Sequence, residues 1–162
     1  MIEQIQRNFT SRIYELKEMN YYKRLKYLKV YSLERRRERY DLIYIYKTLK
    51  SQVPNVGINF KWSQRRGRTI VPPPVHKNST SHAATLRRYS FRSRAAFLFN
   101  HLPSELRNIH EQTSMDLIKR KIDYYLSKVV DEPVIGGYTR SNDAASNSIV
   151  HQPTAGWTTS GQ

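Results

Sequence analysis

The sequence contains no cysteine, which excludes disulfide bonds and metal sites built on thiolates. It has no run of the about 18 apolar residues that a membrane-spanning helix requires. Its first residues, Met-Ile-Glu-Gln-Ile-Gln-Arg, lack the apolar stretch of a secretory signal peptide. These absences predict an intracellular protein, nuclear or cytoplasmic, that is neither secreted nor embedded in a membrane.

Acidic residues are also scarce: there are 13 of them against 28 Lys and Arg, and none between residues 42 and 104. Enzymes that join or cut polynucleotides hold two divalent ions on clustered carboxylates. The nearest approach to such a cluster, Glu34, Glu38 and Asp41, is surrounded by arginines, which favours helix-surface ion pairs. The five histidines show no zinc-binding spacing, and glycine-rich phosphate loops and nucleophile elbows are missing. We therefore expect no catalytic site, no metal and no cofactor in this chain.

The excess of basic residues is the main positive signal. The formal net charge is +15, and residues 51–94 alone contain nine basic and no acidic side chains. Like charges at this density repel one another unless an anion compensates them, which predicts a polyanionic partner such as DNA or RNA.

Apolar periodicity predicts an all-α fold, a bundle of five or six helices within a domain over residues 1–130. The first helix is predicted over residues 2–19, with an inward stripe of Ile2, Ile5, Phe9, Leu16 and Met19. Ser32 is predicted as the N-cap of the third helix. The predicted helical stretches are 2–19, about 21–29, 32–50, 91–102, 103–109 and 113–130.

Two segments lack helical periodicity. Residues 52–88 contain Pro72, Pro73 and Pro74, and are predicted as a long basic loop that interrupts the bundle, with one extended piece at Thr69–Val71. Residues 131–162, rich in Ser, Thr, Gly and Asn, are predicted as a flexible tail.

The candidate nucleic-acid contacts come from the basic segments. Arg donates bidentately to phosphate, and an aromatic side chain among arginines is able to stack on an unpaired base. For Trp62 and Tyr89, stacking and a core position are both open, whereas Phe91 and Phe99 are predicted to be core. The first candidates are Lys61, Trp62, Arg65, Arg66, Arg68, Arg87, Arg88, Tyr89, Arg92 and Arg94, and the second are Arg35, Arg36, Arg37 and Arg39.

Short blocks of residues follow one another in a familiar order. They are Ile2-Glu-Gln-Ile-Gln-Arg-Asn-Phe-Thr10 with Ile13; Tyr22, Arg24, Leu25 and Leu28; Ser32-Leu-Glu-Arg-Arg36, Asp41-Leu-Ile43 and Tyr46-Lys47; Phe91, Arg94, Asn100, Leu102 and Pro103; and Ser114, Lys119 and Asp123. Together they resemble the C-terminal region of the reverse transcriptases of jockey-like non-LTR retrotransposons. Phe99 stands where that family usually has Trp, and Ile118 where it usually has Phe.

The resemblance implies a part of an RNA-directed DNA polymerase that follows the palm and helps to hold template and primer. The aromatic-x-Asp-Asp motif of the palm is missing, so the resemblance implies a transposable-element fragment that binds an RNA–DNA or DNA duplex without catalysis. Two alternatives remain: a protein-interaction or self-assembly module that acts through its Tyr-rich helices, and a non-functional remnant.

Overall fold

The fold was analysed in a computed structural model, which describes residues 2–63, 67–74, 82–133 and 147–152. These residues are mainly helical, with one two-stranded sheet, so the fold class is mainly α rather than all-α. The elements are α1 (Ile2–Ser11), a 3-10 turn (Tyr14–Leu16), α2 (Tyr21–Tyr27), α3 (Leu33–Leu49), β1 (Asn59–Ser63), β2 (Gly67–Val71), α4 (His82–Tyr89), α5 (Phe91–His101), α6 (Ser104–Arg107) and α7 (Met115–Lys128).

The chain divides into two compact units. The first comprises residues 1–38 and 126–162, and the second comprises residues 39–125. The predicted boundary after residue 130 therefore falls within the first unit. Of the predicted tail, residues 147–152 are described, and in them Asn147, Ile149 and Gln152 are buried. The rest of the predicted tail beyond Pro133 lies outside the described residues.

In the first unit, α1 ends earlier than predicted and turns a polar face inward. Ile5 and Phe9 are 68% and 69% exposed, so the predicted apolar stripe is wrong for these two residues. The inward face instead carries Glu3, Gln6 and Thr10, at helical spacing. Glu3 accepts a hydrogen bond from the Leu33 amide at 3.0 Å, and Thr10 is buried. Hydrogen-bonding groups at the start of α3 therefore select the face that packs, in place of apolar area.

The start of α3 confirms the predicted cap. The Ser32 hydroxyl accepts a hydrogen bond from the Arg35 amide at 3.1 Å, which satisfies one of the free N–H groups of the first turn. Further along, the apolar stretch of α3 supplies core residues to the second unit, where Leu42 and Ile45 are both fully buried.

In the second unit, the predicted loop contains a β-hairpin. β1 and β2 pair antiparallel, with Lys61 opposite Thr69 and Trp62 opposite Arg68. The extended piece at 69–71 is confirmed, but the loop prediction is wrong for 59–63, for 67–68, and for 82–88, which belong to α4. Both strands carry β-favouring aromatic or β-branched residues at alternating positions, the strand signature that the basic residues obscured.

The hairpin is held against the helices by rings and by amide groups. The rings of Tyr46 and Phe60 lie 6.0 and 5.8 Å from that of Phe99, which is fully buried. The Asn100 side chain donates to the Ile70 carbonyl and accepts from the Ile70 amide, both at 2.8 Å. The predicted stripe of α5 is thereby confirmed as the face that carries β2.

Candidate nucleic-acid interface

The exposed cations of the second unit lie on the hairpin and on the two helices after it. Lys61 is exposed in the middle of β1, and Arg87 and Arg92 are exposed on α4 and α5. In the part of the chain that the structure describes, no acidic side chain pairs with any of these three. They are therefore available to a phosphate, as the sequence predicts.

Arg92 lies beside the entry to the hairpin. A Cβ placed on Gly57 would come within 3.2 Å of the Arg92 Cζ, so the guanidinium packs directly over this glycine. Gly57 has a φ of +79°, a conformation that favours glycine for its own sake. The backbone before β1 thus leaves room for Arg92 on the surface.

The junction between α4 and α5 fixes where the neighbouring basic residues emerge. Ser90 caps α5 through its hydroxyl, which accepts from the Ser93 amide. The Arg87 carbonyl accepts hydrogen bonds from the hydroxyls of Ser90 and Ser93, at 2.7 and 2.8 Å. Tyr89, 62% exposed, stands at the corner, so the structure resolves its two open readings in favour of a surface position.

Arg68 is a predicted contact that the structure places inside. It is 5% exposed, and its Nη2 donates to Glu111 Oε1 at 3.1 Å. Its position on β2 has the same parity as that of buried Ile70, so strand alternation turns it inward. The prediction that Arg68 contacts phosphate is therefore wrong for this structure.

Arg94 and Arg39 are partly withdrawn by ion pairs. The Arg94 Nε donates to Asp41 Oδ2 at 3.1 Å, and its Nη1 donates to the Tyr89 carbonyl at 2.7 Å. Arg39 holds Asp123 in a two-point contact, at 2.5 and 2.8 Å. Both guanidinium groups keep some exposure, but their charge is already compensated.

The remaining second-choice arginines belong to the first unit and differ sharply in exposure. Arg35 is 0% exposed, so the predicted phosphate contact is wrong for it. Arg36 is half-buried, with its Nε donating to the Tyr31 carbonyl at 3.2 Å. Arg37 is exposed. The Arg35–Glu38 contact, 3.5 Å between Nε and Oε2, is a buried ion pair instead of the predicted surface pair.

Some candidates lie beyond what the structure describes. Arg65 and Arg66, between β1 and β2, are outside the described residues, as are the side chains of Trp62 and Arg88. Their assignment remains a prediction.

Two carboxylates were missed as parts of the site. Asp41 and Glu111 lie on either side of the acid-free stretch in sequence, yet in the folded unit they neutralise Arg94 and Arg68. The available signal was the composition of the flanking segments, and spacing along the chain does not reveal which arginine each acid meets.

The described residues show no other chemistry of note. Within 2–63, 67–74, 82–133 and 147–152, no group of three or more His, Asp or Glu side chains could hold a metal ion. Burial raises the pKa of Tyr46, whose hydroxyl donates to the Leu106 carbonyl. Over the same ranges, the helices are too short or too polar to cross a bilayer.

Comparisons with known proteins return no relatives. No family model, no curated protein and no solved structure matches this chain.

Proposed function

We propose that this chain binds duplex nucleic acid through Lys and Arg contacts with phosphate, without catalysis of its own. The proposal includes parentage: the chain derives from the C-terminal region of a jockey-like non-LTR reverse transcriptase, where it holds the template–primer duplex. The observation that carries the binding is the set of exposed, unpaired cations formed by Lys61, Arg87 and Arg92, here called the basic surface.

The charge balance of the second unit supports the binding. It contains 16 basic and five acidic residues. Four of the five acids already pair with Arg39, Arg68, Arg94 and Lys119. The basic surface is thus left without an internal counter-charge, and a polyanion is the partner that supplies one.

The parentage is supported by how the resembling blocks meet. Asp41 of one block pairs with Arg94 of another, and Asn100 of that second block clamps β2. Asp123 of the last block pairs with Arg39, which lies between two of the matching stretches. Residues that match the family therefore form the framework of the second unit, which is the behaviour expected of a shared fold.

The binding is tested by titrating a labelled RNA–DNA hybrid and a DNA duplex at several salt concentrations. Each phosphate contact contributes about −0.9 to the log–log slope of affinity against salt on duplex DNA. The combined variant Lys61→Gln, Arg87→Gln and Arg92→Gln is expected to make this slope shallower by about 2.7. Binding that ignores salt, or no binding at low salt, contradicts the proposal.

A matched control removes the same charge elsewhere. Lys17, Lys23 and Lys26 are exposed in the first unit, and their triple Gln variant lowers the net charge equally. If binding is confined to the basic surface, this control keeps most of the wild-type slope. Equal losses in both variants would mean that net charge alone attracts the duplex.

The parentage is tested separately, on the DNA that precedes the coding sequence of Met1. A reading frame there that encodes an aromatic-x-Asp-Asp motif supports it, and a frame unrelated to polymerases contradicts it.

A further inference from the structure

A recess in the first unit is filled by a segment of the chain itself. Its walls are the residues from Ser32 to Glu38 at the start of α3 and residues 129–131 after α7. Residues 147–149, Asn-Ser-Ile, lie in it, and Ile149 is 0% exposed.

The recess reads the backbone of this segment. The Asn147 amide donates to Glu34 Oε2 at 3.3 Å, and its carbonyl accepts from Arg35 Nη2 at 2.9 Å. The Ile149 amide donates to both carboxylate oxygens of Glu38, at 3.1 and 3.2 Å. Main-chain contacts of this kind supply affinity for an extended peptide.

The recess also reads the side chains. The Asn147 carboxamide donates to the Ser32 hydroxyl at 2.8 Å and to Asp131 Oδ1 at 2.6 Å. The Ser148 hydroxyl donates to Glu38 at 2.5 Å. A residue without these donors would leave buried acceptors unpaired, so the contacts select Asn and Ser, and the apolar pocket selects a side chain such as that of Ile149.

The walls are held in place by contacts among themselves. Arg35, at the centre, donates to the Val130 carbonyl at 2.9 Å and lies 3.5 and 3.9 Å from the carboxylates of Glu38 and Asp131. Asp131 also accepts from the amide and the hydroxyl of Ser32, at 2.7 and 2.6 Å. The recess is therefore organised by its own buried charges and does not depend on the segment for its shape.

We propose that this recess is a peptide-binding site for the sequence Asn-Ser-Ile, and that it accepts this segment from a second copy of the chain as well as from its own. Every contact described above is made by residues 147–149 themselves. The connection of 13 residues, 134–146, contributes none of them. An identical segment on another molecule offers the same groups, which is the condition for exchange of an element between protomers.

The first test uses the free peptide Ala-Ala-Ser-Asn-Ser-Ile-Val-His-Gln, residues 144–152, carrying a fluorescent label. The full chain with Ile149→Asp expels its own segment and opens the recess. We expect this variant to bind the peptide at least about tenfold more tightly than the wild type, where the tethered segment competes at high effective concentration. A peptide with Asp in place of Ile149 is expected to lose binding at least about tenfold, because it places a charge in an apolar pocket.

His151→Asp is the matched control, because it adds the same acid at an exposed position of the same segment. It is expected to behave as the wild type. Asn147→Ala opens the site more gently if the circular dichroism of Ile149→Asp shows lost helix. Equal peptide binding by the wild type and the opened variants, or no binding by a folded opened variant, overturns the proposal.

The second test asks for the second copy directly. A chain with Glu38→Ala has a damaged recess but an intact segment, and the Ile149→Asp chain has the reverse. Native mass spectrometry of the mixture is expected to show a heterodimer that is missing from either variant alone. A mixture of the two folded chains that stays monomeric contradicts exchange between copies.

Discussion

The two units use arginine in opposite ways. The first unit contains 12 basic and eight acidic residues, and the second contains 16 and five. In the first, Arg35 and Arg24 are buried, at 0% and 7% exposure, and donate to main-chain carbonyls. In the second, most acids are already paired while Lys61, Arg87 and Arg92 remain on the surface. Charge that is neutralised inside serves folding, and charge that is left over is free to serve binding.

The largest expected effect comes from removing the central cation of the first unit. Arg35→Ala leaves Glu38 and Asp131 without their buried counter-charge, and loss of one partner of a buried pair costs about 3–5 kcal/mol of unfolding free energy. Urea denaturation followed by circular dichroism measures this. Arg37→Ala, on the exposed side of the same helix, is the control and is expected to change stability by less than about 0.5 kcal/mol. Similar losses in both variants would remove the distinction between buried and surface arginine.

A smaller effect is expected from the titration of Glu38. Burial raises the pKa of this carboxyl to about 7, against the opposing pull of the Ser148 hydroxyl, the Arg35 guanidinium and the Ile149 amide. The folded chain therefore binds the proton more tightly than the unfolded chain, whose pKa is near 4.5. This stabilisation is full below pH 4.5 and is lost as the pH rises through about 7.

Glu38→Gln isolates that titration, because Gln cannot ionise. Between pH 5 and pH 8, the wild type is expected to lose about 2 kcal/mol of unfolding free energy relative to this variant, since a pKa difference of about one unit corresponds to about 1.4 kcal/mol. Denaturant titrations of both proteins at the two pH values give the difference. A gap that does not change with pH would show that Glu38 keeps one protonation state throughout.

In the second unit, the amide clamp has the next largest expected effect. Asn100→Ala removes both hydrogen bonds to Ile70 and is expected to cost about 1–2 kcal/mol. Asn59→Ala, at an exposed position at the start of β1, is the control, with a change below about 0.5 kcal/mol expected. Thermal unfolding distinguishes them, and equal melting temperatures for the two variants would argue against the clamp.

The smallest effect on stability is expected at the basic surface. Arg87→Gln should change the unfolding free energy by less than about 0.5 kcal/mol, because its side chain is exposed and has no acidic partner among the described residues. It should nevertheless make the salt slope for duplex DNA shallower by about 0.9. A marked loss of stability without a change in slope would assign Arg87 to folding instead of binding.

Local patterns predict local structure well in this chain. The Ser32 cap and the α5 stripe follow from spacing over a few residues, and the structure confirms both. The burial of Arg35 depends on carbonyls 95 and 112 residues away in the sequence, which no local pattern contains. The hairpin was obscured because Lys61 and Arg68 stand among its β-favouring residues, and Arg68 finds its partner 43 residues further on.

The outer edge of β2 has a consequence for solubility. Exposed strand edges offer free N–H and C=O groups that pair readily with other chains. Here Asn100 takes both groups of Ile70, Asn108 accepts from the Arg68 amide at 3.3 Å, and Arg107 donates to the Arg68 carbonyl at 3.3 Å. These side chains stand where a third strand would otherwise add. The hairpin is thus protected against edge-to-edge aggregation by amide and guanidinium groups, without a bulge or a proline within the strand.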